Sequence, residues 1–521
     1  MCGVLLVKSQ HNIPLAQHLE AVKLIQRRGP DQLKYQYQNG IFIAQSVLEI
    51  TGDSAWYSRP RDDFLAYNGE IYNYRWFGNY STDTELVYHT VRTQPVKRFH
   101  YFEGAWAWIY TNFDSVEYAT DPQGERCLYR YQDSDTIIIS SEVSAILAYQ
   151  DLELNIKPYS EKHWPIRHDT PWQGIERVQP GVMYSTHDKP VKLDSIFDWR
   201  RPTAIATEDE AWEEFEPLWQ KVMRDMTPNT SYGVTMSGGL DSSAVLNSLP
   251  HAEKLYTINT VGKDLISPRV GEFLNPQQQL RHVMLDLDLK QWADKFVEII
   301  EQTQMPVQSW SFVGQWTIAQ HCTERVLFTG VGADELFGGY NVYKTLNYTT
   351  ENSASPYSSF SSQDKSALID WHQCLDMYDG DPRPATLLMD YLTQICAVDM
   401  RGVDTLTMAH GIEPRSPFCH PNVIKFALNL PWHLRLGKPM VRRLFLQRWP
   451  ATMIEPKQGF AGHCNDSAEY LGVVCNPAVD RMTDWKRINQ EVFQRIVTNH
   501  ESHQTTHSQT ESMWAVGQDS F

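Results

Sequence analysis

The chain has 521 residues, of which 42% are hydrophobic and 12% aromatic, and its formal net charge is -17. This length predicts two domains, and this much apolar material argues against wholesale disorder. The negative charge would repel a phosphate backbone, so we expect no nucleic-acid partner and favour small-molecule substrates.

No stretch approaches the roughly 20 consecutive apolar residues that a membrane helix needs. The N-terminus also lacks a basic region followed by an apolar run, so a cytoplasmic protein with no membrane partner is expected. The eight cysteines are scattered without CxxC pairs. This spacing fits neither a zinc site nor a small disulfide framework.

Short alternating strands dominate the chain up to about residue 185, among them GVLLV, YQYQNGIFIAQ and GAWAWIY. The pair Asn39-Gly40 is a hairpin-turn signal. Two helical stretches interrupt the strands, from Pro14 to Arg28 and from Thr82 to Arg92. We therefore predict an α+β domain in which antiparallel sheets pack against helices.

Beyond residues 200–210 the pattern changes to short apolar runs separated by helix-length segments: YGVTM, KLYTINTV, HVMLDLD and RVLFTG. This alternation predicts a parallel sheet with crossover helices, whose ligands bind beyond the C-terminal strand ends. Residues 340–482 are predicted to be mostly helical. The polar segment 347–363 and the tail after about residue 500 are predicted to be poorly ordered.

The strand Tyr232 to Met236 leads into SGGLDSS, residues 237–243, and then into an apolar helix. Its glycines let backbone N–H groups approach an anion, and the helix N-terminus adds a positive dipole end, as a phosphate site requires. Unlike a Walker motif, the loop holds Asp241, which could share magnesium with phosphates. The alternative is a glycine-rich turn that binds no ligand.

A second strand, RVLFTG, ends in GVGADELFGGY, residues 330–340. If the two strands are neighbours, Asp334 lies beside the phosphate loop and could supply a second carboxylate for magnesium. The alternative is that Asp334 and Glu335 only favour the dipole of a helix that starts there.

These motifs, followed by MAHGIEPRSPF, GKPMVRRLF and KQGF, resemble the synthetase domain of glutamine-dependent asparagine synthetases. MCG, RRGPD, YNGEIYNY and Asp83 resemble a class II glutamine amidotransferase domain. The resemblance implies an amidotransferase domain over residues 1–190 and an asparagine synthetase-like ATP-pyrophosphatase domain over 205–485. Composition predicts a polar, flexible tail over 486–521. It implies an αββα sandwich of the Ntn-hydrolase type, joined to an α/β domain with a parallel sheet and added helices.

The resemblance also implies ATP and Mg²⁺ as cofactors. Asp241 and Asp334 would hold the metal, and Lys438 would neutralise the leaving pyrophosphate, whose charge must be screened. Lys438 could instead be an ordinary surface lysine. The implied ATP-binding residues are Ser237, Gly238, Gly239, Leu240, Asp241, Ser242, Ser243, Thr329 and Gly330. A homodimer is compatible with these inferences.

Cys2 could be apolar filling at the start of a strand or, once Met1 is removed, a nucleophile. It would then carry both a thiol and an α-amino group, whose pKa of about 7.7 to 8.0 suits a general base. By the resemblance, Asn68 and the backbone of Gly69 stabilise the oxyanion and contact glutamine. Glu70 and Asp83 would bind its α-amino group, although Thr82-Asp83-Thr84-Glu85 also forms a capping box for a helix.

The chain departs from the family pattern at two places. Val47 in VLEI stands where the family has an arginine for the glutamine carboxylate, and Arg59 or Arg61 could substitute spatially. Val331 stands where the family has a glutamate expected near the acceptor and ammonia, and Cys419-His420 replaces Leu-Asp. The acceptor is therefore open.

The leading hypothesis is an ATP-dependent ligase that transfers glutamine-derived ammonia to an acyl-adenylate, with aspartate as default acceptor and asparagine as product. The nearest alternative is a specialised relative that amidates or cyclises another carboxylate. A second alternative is a non-catalytic homologue that acts as a scaffold, against which stand SGGLDSS, Asp334 and Lys438.

Overall fold

The computed structural model describes residues 2–50, 56–59, 63–93, 96–155, 170–201, 203–261, 270–309, 311–353, 355, 365–454, 467–476 and 484–498. The KQGF motif, most of the segment predicted to be poorly ordered and the tail after residue 500 lie outside the described residues.

The N-terminal half consists of two six-stranded sheets with helices on their outer faces. Its strands are β1 (Cys2–Ser9), β2 (Gln32–Gln38), β3 (Ile41–Val47), β4 (Trp56–Arg59), β5 (Asp63–Ile71), β6 (Gly104–Thr111), β7 (Val116–Thr120), β8 (Tyr129–Gln132), β9 (Thr136–Ser140), β10 (Ile175–Arg177), β11 (Val182–Ser185) and β12 (Val191–Lys192). Its helices are α1 (Leu15–Gln26), α2 (Asp83–Thr93) and α3 (Val143–Leu147). One sheet has the order β10-β8-β9-β1-β3-β2 and the other β12-β11-β7-β6-β5-β4.

Alternation along the strands produces four layers, because successive side chains point to opposite faces of a sheet. Val4 and Leu6 of β1 pack in one apolar cluster with Phe64 of β5 in the other sheet. Leu5 and Val7 point the other way and belong to a cluster that contains Ala21, Val22 and Ile25 of α1. Leu65 and Tyr67 pack against Leu86 and Val87 of α2. The αββα sandwich and both predicted helices are therefore confirmed.

The C-terminal half is built on a parallel sheet, β15-β14-β13-β16-β17. Its strands are β13 (Tyr232–Thr235), β14 (Lys254–Thr260), β15 (His282–Leu287), β16 (Val326–Phe328) and β17 (Glu413–Arg415). Its helices are α4 (Glu208–Met226), α5 (Leu240–Ser248), α6 (Val270–Phe273), α7 (Pro276–Gln279), α8 (Leu289–Thr303), α9 (Ser311–His321), α10 (Ala333–Leu336), α11 (Lys365–Met377), α12 (Pro382–Asp390), α13 (Met400–Met408), α14 (Pro421–Asn429), α15 (Trp432–Arg435) and α16 (Pro439–Leu446). A π-helix joins α12 to α13, and residues 484–498 are helical.

Two details of the sheet position the functional residues. Strand β13 pairs in parallel with β16, which is the adjacency that the phosphate-loop argument required. Strand β17 pairs with β16 inside a region predicted to be mostly helical. Its three residues, Glu413, Pro414 and Arg415, are too few and too polar to produce a recognisable strand pattern. No helix of the described ranges is long and apolar enough to cross a membrane.

Candidate functional site

The thiol of Cys2 lies at the first position of β1, buried between the two N-terminal sheets. Gln45 Nε2 donates a hydrogen bond to Cys2 Sγ at 3.0 Å, and the Tyr67 N–H fixes Gln45 by donating to its Oε1 at 3.1 Å. The sulfur is thus oriented by a side chain that sequence reasoning missed. The sequence feature that could have indicated it is Gln45, a polar residue that directly follows the apolar run IFIA of residues 41–44.

Asn68 is fully buried next to Cys2. Its Oδ1 accepts a hydrogen bond from the backbone N–H of Cys2 at 3.0 Å, whereas its Nδ2 has no hydrogen-bond partner among the described residues. Leaving a buried donor unsatisfied costs about 1–3 kcal/mol, so this amide is available for a ligand oxygen beside the thiol. Gly69 is required by packing as well, because a Cβ there would lie 2.4 Å from the Ala105 carbonyl oxygen of β6.

Glu70 is connected to the other half of the protein. Its Oε2 accepts a hydrogen bond from Arg415 at 2.7 Å, and Arg415 also donates to Glu413 at 2.7 Å. Burial raises the pKa of Glu70 to about 7, even though the Arg415 guanidinium opposes the shift. An ammonium group bound by Glu70 would therefore share this carboxylate with an arginine of β17, a link that sequence reasoning missed.

Asp83 is the first residue of α2, and its carboxylate binds two groups of the neighbouring strand region. Its Oδ2 accepts hydrogen bonds from the Tyr67 hydroxyl at 2.9 Å and the Ile71 N–H at 3.0 Å. Burial raises its pKa, and these hydrogen bonds oppose the rise. The neighbouring cap differs from the predicted box, because the Glu85 carboxylate accepts from Ser81 rather than from Thr82. Thr82 Oγ1 does accept from the Glu85 N–H, at 3.1 Å.

Val47 lies directly across from Cys2 in the β1–β3 pair and is buried in the same apolar cluster. Val47 therefore offers no positive charge that could pair with the carboxylate of a glutamine bound beside the thiol. Arg28 is near, since its Nε donates to the Cys2 carbonyl at 3.3 Å. Its other nitrogens are engaged by Glu142 at 2.8 Å and Asp404 at 2.7 Å. The side chain of Arg59 and all of Arg61, the suggested substitutes, lie outside the described residues.

The predicted phosphate loop connects β13 to α5, whose first residue is Leu240. The loop is stabilised internally: Gly239 N–H donates to Ser237 Oγ at 3.3 Å, and Ser242 Oγ donates to the Gly239 carbonyl at 3.1 Å. Gly238 has a φ of 74°, a left-handed conformation that favours glycine. Ser243 is buried in α5.

Thr329 and Gly330 follow β16 and lie beside the phosphate loop. A Cβ at Gly330 would lie 3.1 Å from Asp241 Cβ and 3.2 Å from the Ser242 backbone nitrogen, so the two loops are in close contact. Thr329 N–H donates to the Arg415 carbonyl at 2.9 Å. The structure therefore brings together all nine residues assigned to ATP.

Lys438 links the two predicted metal carboxylates. Its Nζ lies 2.6 Å from both carboxylate oxygens of Asp241 and 2.6 Å from Asp334 Oδ1. The side chain is only 4% exposed, which excludes the alternative of a surface lysine. A Cβ at Gly339 would lie 2.0 Å from Lys438 Cε, so glycine is needed for the lysine to reach the carboxylates.

These carboxylates suit magnesium, because they converge on the Lys438 ammonium from the first turns of α5 and α10 and offer only oxygen ligands. No group of three or more His, Cys, Asp or Glu side chains forms a metal site in the described ranges. Two protein carboxylates are nevertheless sufficient for Mg²⁺ shared with substrate phosphates.

The second departure from the family pattern comprises Val331 and the pair Cys419-His420, whose contacts in the structure differ. Val331 is an apolar side chain at the predicted acceptor side, and its carbonyl is 3.5 Å from Cys419 Sγ. Cys419 also fills the space against Gly332, where a Cβ would lie 2.6 Å from the sulfur. His420 caps α14 by accepting the Asn422 N–H at 3.2 Å, a task that aspartate performs equally well. Val331 thus differs from a glutamate in charge, whereas the described contacts of Cys419 and His420 are packing and helix capping.

Two family models match the chain. The asparagine synthase model matches residues 216–518, and the glutamine amidotransferase domain model matches residues 1–196.

Among curated proteins, the chain is 24% identical to asparagine synthetase [glutamine-hydrolyzing] 1 of Bacillus subtilis, over 66% of this chain and 60% of that protein. It is 21% identical to the amidase chry2 of Gibberella zeae, over 62% of this chain and 55% of that protein. A probable asparagine synthetase of Schizosaccharomyces pombe is 25% identical over 82% of this chain and 76% of its own length. The match thus spans less than two thirds of the first two relatives.

Proposed function

The chain is a member of the asparagine synthase family, and we propose that it is an ATP-dependent amidotransferase that uses glutamine as nitrogen donor. One observation carries the synthetase half of the proposal: Lys438 Nζ lies 2.6 Å from both Asp241 and Asp334, next to the SGGLDSS loop. A scaffold would have no use for one buried cation and two carboxylates at a phosphate loop.

In the glutaminase half, removal of Met1 would give Cys2 an α-amino group at the nitrogen that now donates to Asn68 Oδ1. This amine would take the thiol proton, and the sulfur would attack the glutamine amide carbon. The unpaired Asn68 Nδ2 would stabilise the oxyanion that forms, together with the backbone of Gly69. Glu70 and Asp83 would bind the α-ammonium group of glutamine. The Cys2 α-ammonium group would return that proton to the leaving nitrogen, so that ammonia departs and a thioester remains. Water would then release glutamate from the thioester.

In the synthetase half, the loop of residues 237–243 with Thr329 and Gly330 would bind ATP. The acceptor carboxylate would attack the α-phosphate to form an acyl-adenylate, and Lys438 would balance charge on the departing pyrophosphate. Asp241 and Asp334 would hold Mg²⁺, which screens phosphate charge when bound. Ammonia would then displace AMP and form the amide. Aspartate is the default acceptor, which would make asparagine the product.

A second candidate function is favoured by Val331. An apolar side chain at the acceptor side removes a charge that could pair with a polar acceptor or deprotonate the nitrogen nucleophile. The specialised alternative therefore amidates or cyclises a carboxylate other than aspartate.

The test measures ATP–pyrophosphate exchange with aspartate and with a panel of other carboxylates, followed by amide formation with glutamine or ammonium chloride. Exchange should occur only when a suitable carboxylate is present. Exchange with aspartate would support the first candidate function, and exchange with another carboxylate would support the second. Lack of exchange with every carboxylate would favour the scaffold.

The donor is tested with Cys2→Ala, with Cys322→Ala as a control in the other half. Cys2→Ala should abolish glutamine-dependent synthesis and preserve ammonium-dependent synthesis, whereas the control should retain both. Loss of both activities in a folded Cys2→Ala protein would contradict a separate glutaminase site. An intact mass that retains Met1 would contradict the free-amine mechanism.

A further inference from the structure

Gln45 is a polar side chain within an apolar layer. It lies on β3 between Ile43 and Val47, which belong to the apolar cluster between the two N-terminal sheets. It pairs directly with Val4 of β1, so its side chain points to the same inner face as that of Cys2. The residue is fully buried. Because burying an amide is costly unless its polar atoms are hydrogen-bonded, the partners of Gln45 indicate what it does.

The main chain of Tyr67 on β5 determines which end of the Gln45 amide faces the thiol. A peptide N–H can only donate, so the amide atom that lies 3.1 Å from the Tyr67 nitrogen is the carbonyl oxygen, Oε1. The other end is therefore the NH₂ group, which has two hydrogens to donate. One goes to the Tyr67 carbonyl at 3.0 Å, and the other goes to Cys2 Sγ at 3.0 Å. Gln45 thus presents a donor to the sulfur.

These contacts favour a thiolate at Cys2 over a thiol. The sulfur of a thiol is a weak acceptor, whereas a hydrogen bond to an ionised acceptor is stronger than a neutral one and stabilises the ionised form. The nitrogen of Cys2 has the complementary partner, because Asn68 Oδ1 accepts its N–H at 3.0 Å. A thiolate beside Gln45 and an α-ammonium group beside Asn68 would therefore both be hydrogen-bonded.

The donor is fixed in place before any charge forms. Tyr67 pairs with Trp108 of the neighbouring strand β6, and its hydroxyl donates to Asp83 Oδ2 at 2.9 Å. Both ends of the Gln45 amide are bound to the main chain of this anchored residue. A dipole that already points at the place where charge develops stabilises that charge without reorganisation. Gln45 meets this condition for the sulfur of Cys2.

Resting on the proposed function, we propose that Gln45 is a catalytic residue of the glutaminase half, whose amide N–H stabilises the Cys2 thiolate that attacks glutamine. The alternative is that Gln45 only ties β3 to β5 through the main chain of Tyr67. The two roles differ in what they do to the sulfur, because only the first changes how readily the thiol ionises.

In the first step, the S–H bond of Cys2 breaks, its proton goes to the lone pair of the α-amino nitrogen, and the electron pair stays on the sulfur beside Gln45. The sulfur then gives this pair to the glutamine amide carbon, and a carbon–sulfur bond forms. In the hydrolysis step, water gives a proton to the α-amino nitrogen and bonds to the acyl carbon. The carbon–sulfur bond breaks, and its electron pair returns to the sulfur. Gln45 neither gains nor loses a proton, so no co-reactant is needed.

The experiment compares two variants of the full-length protein. Gln45→Met has nearly the same shape and removes the hydrogen bonds to both Tyr67 and Cys2. Gln45→Glu keeps an acceptor for the Tyr67 N–H, but its carboxyl group has at most one proton to donate and, when ionised, repels a thiolate. The control is Ser141→Ala, which removes a buried hydrogen bond to β1 at the Val4 N–H, 3.1 Å long.

Two measurements are made. The first needs no glutamine: the rate at which iodoacetamide alkylates Cys2 is followed over a series of pH values by mass spectrometry of the N-terminal peptide. The second determines kcat and KM for glutamine hydrolysis, together with the rate of ammonium-dependent synthesis.

Both Gln45 variants should raise the pH of half-maximal alkylation by about 1 unit or more, because a hydrogen bond to a charged group is lost. The kcat for glutamine hydrolysis should fall by about 10-fold or more, since one pH unit corresponds to a factor of about 10 in the thiolate population. KM and ammonium-dependent synthesis should be nearly unchanged. Ser141→Ala should keep the alkylation profile of the unaltered protein, even where denaturant unfolding shows lower stability.

An unchanged alkylation profile in folded Gln45→Met would overturn the proposal, and so would a profile that Gln45→Glu restores, because Gln45 would then only tie β3 to β5. An equal shift in Ser141→Ala would also overturn it, since loosened sheets would explain the effect. If the unaltered protein hydrolyses no glutamine, the proposed function fails, and the alkylation profile still decides the role of Gln45.

Discussion

Gly339→Ala is expected to disable the synthetase half while leaving the glutaminase half active. The new Cβ would lie 2.0 Å from Lys438 Cε and 2.1 Å from Asp334 Oδ1. Non-bonded carbon atoms prefer separations of about 3.5–4.0 Å, so the lysine would have to move by more than about 1 Å. Lys438 is only 4% exposed, so its displaced side chain would have to repack among buried groups.

Two magnitudes follow from this displacement. Misplacement by about 1 Å can cost about 100-fold in rate, so ATP–pyrophosphate exchange should fall by at least that factor. Overpacking costs about 1–3 kcal/mol, so the free energy of unfolding should decrease by an amount in that range. Glutamine hydrolysis should be nearly unchanged, because Cys2 and Asn68 lie in the other half.

The assay compares exchange, glutamine hydrolysis and denaturant unfolding for Gly339→Ala and for Gly271→Ala. Gly271 is a matched control, since a Cβ there would meet nothing within 4 Å. Undiminished exchange in Gly339→Ala, with the same fold, would refute the inference that Lys438 must lie between Asp241 and Asp334.

Two further substitutions test single contacts. Asn68→Ala removes the unpaired amide donor and should lower glutamine hydrolysis by about 10²–10³-fold, with ammonium-dependent synthesis retained; equal loss of both activities would contradict the assignment. His420→Asn tests a buried base whose pKa burial lowers to about 3 from the usual 6.5. Because the unfolded chain binds a proton below pH 6.5 and the folded chain does not, this histidine lowers stability as pH falls from 6.5 towards 3. This effect amounts to about 1.4 kcal/mol per pH unit. Between pH 6.5 and 5, the free energy of unfolding of His420→Asn, measured with denaturant, should therefore fall by about 2 kcal/mol less than that of the unaltered protein. The same pH dependence in both proteins would refute this prediction.

Local patterns were sufficient for much of the fold. Helix α1, helix α2 and the strand–loop–helix of SGGLDSS were predicted because alternation, capping and turn chemistry act over a few neighbouring residues. Strand β17 was missed because three residues carry no period, and it exists only because β16 offers hydrogen bonds. Its Arg415 then reaches Glu70, which is 345 positions away in the chain.

The sequence by itself determined which residues could carry chemistry: a cysteine at position 2, a glycine-rich loop with Asp241, and a lysine in GKPM. Only the tertiary structure decided that Lys438 is buried between Asp241 and Asp334, and that His420 caps a helix. The physical reason is that burial and charge pairing depend on residues brought together across hundreds of positions, which no local pattern encodes.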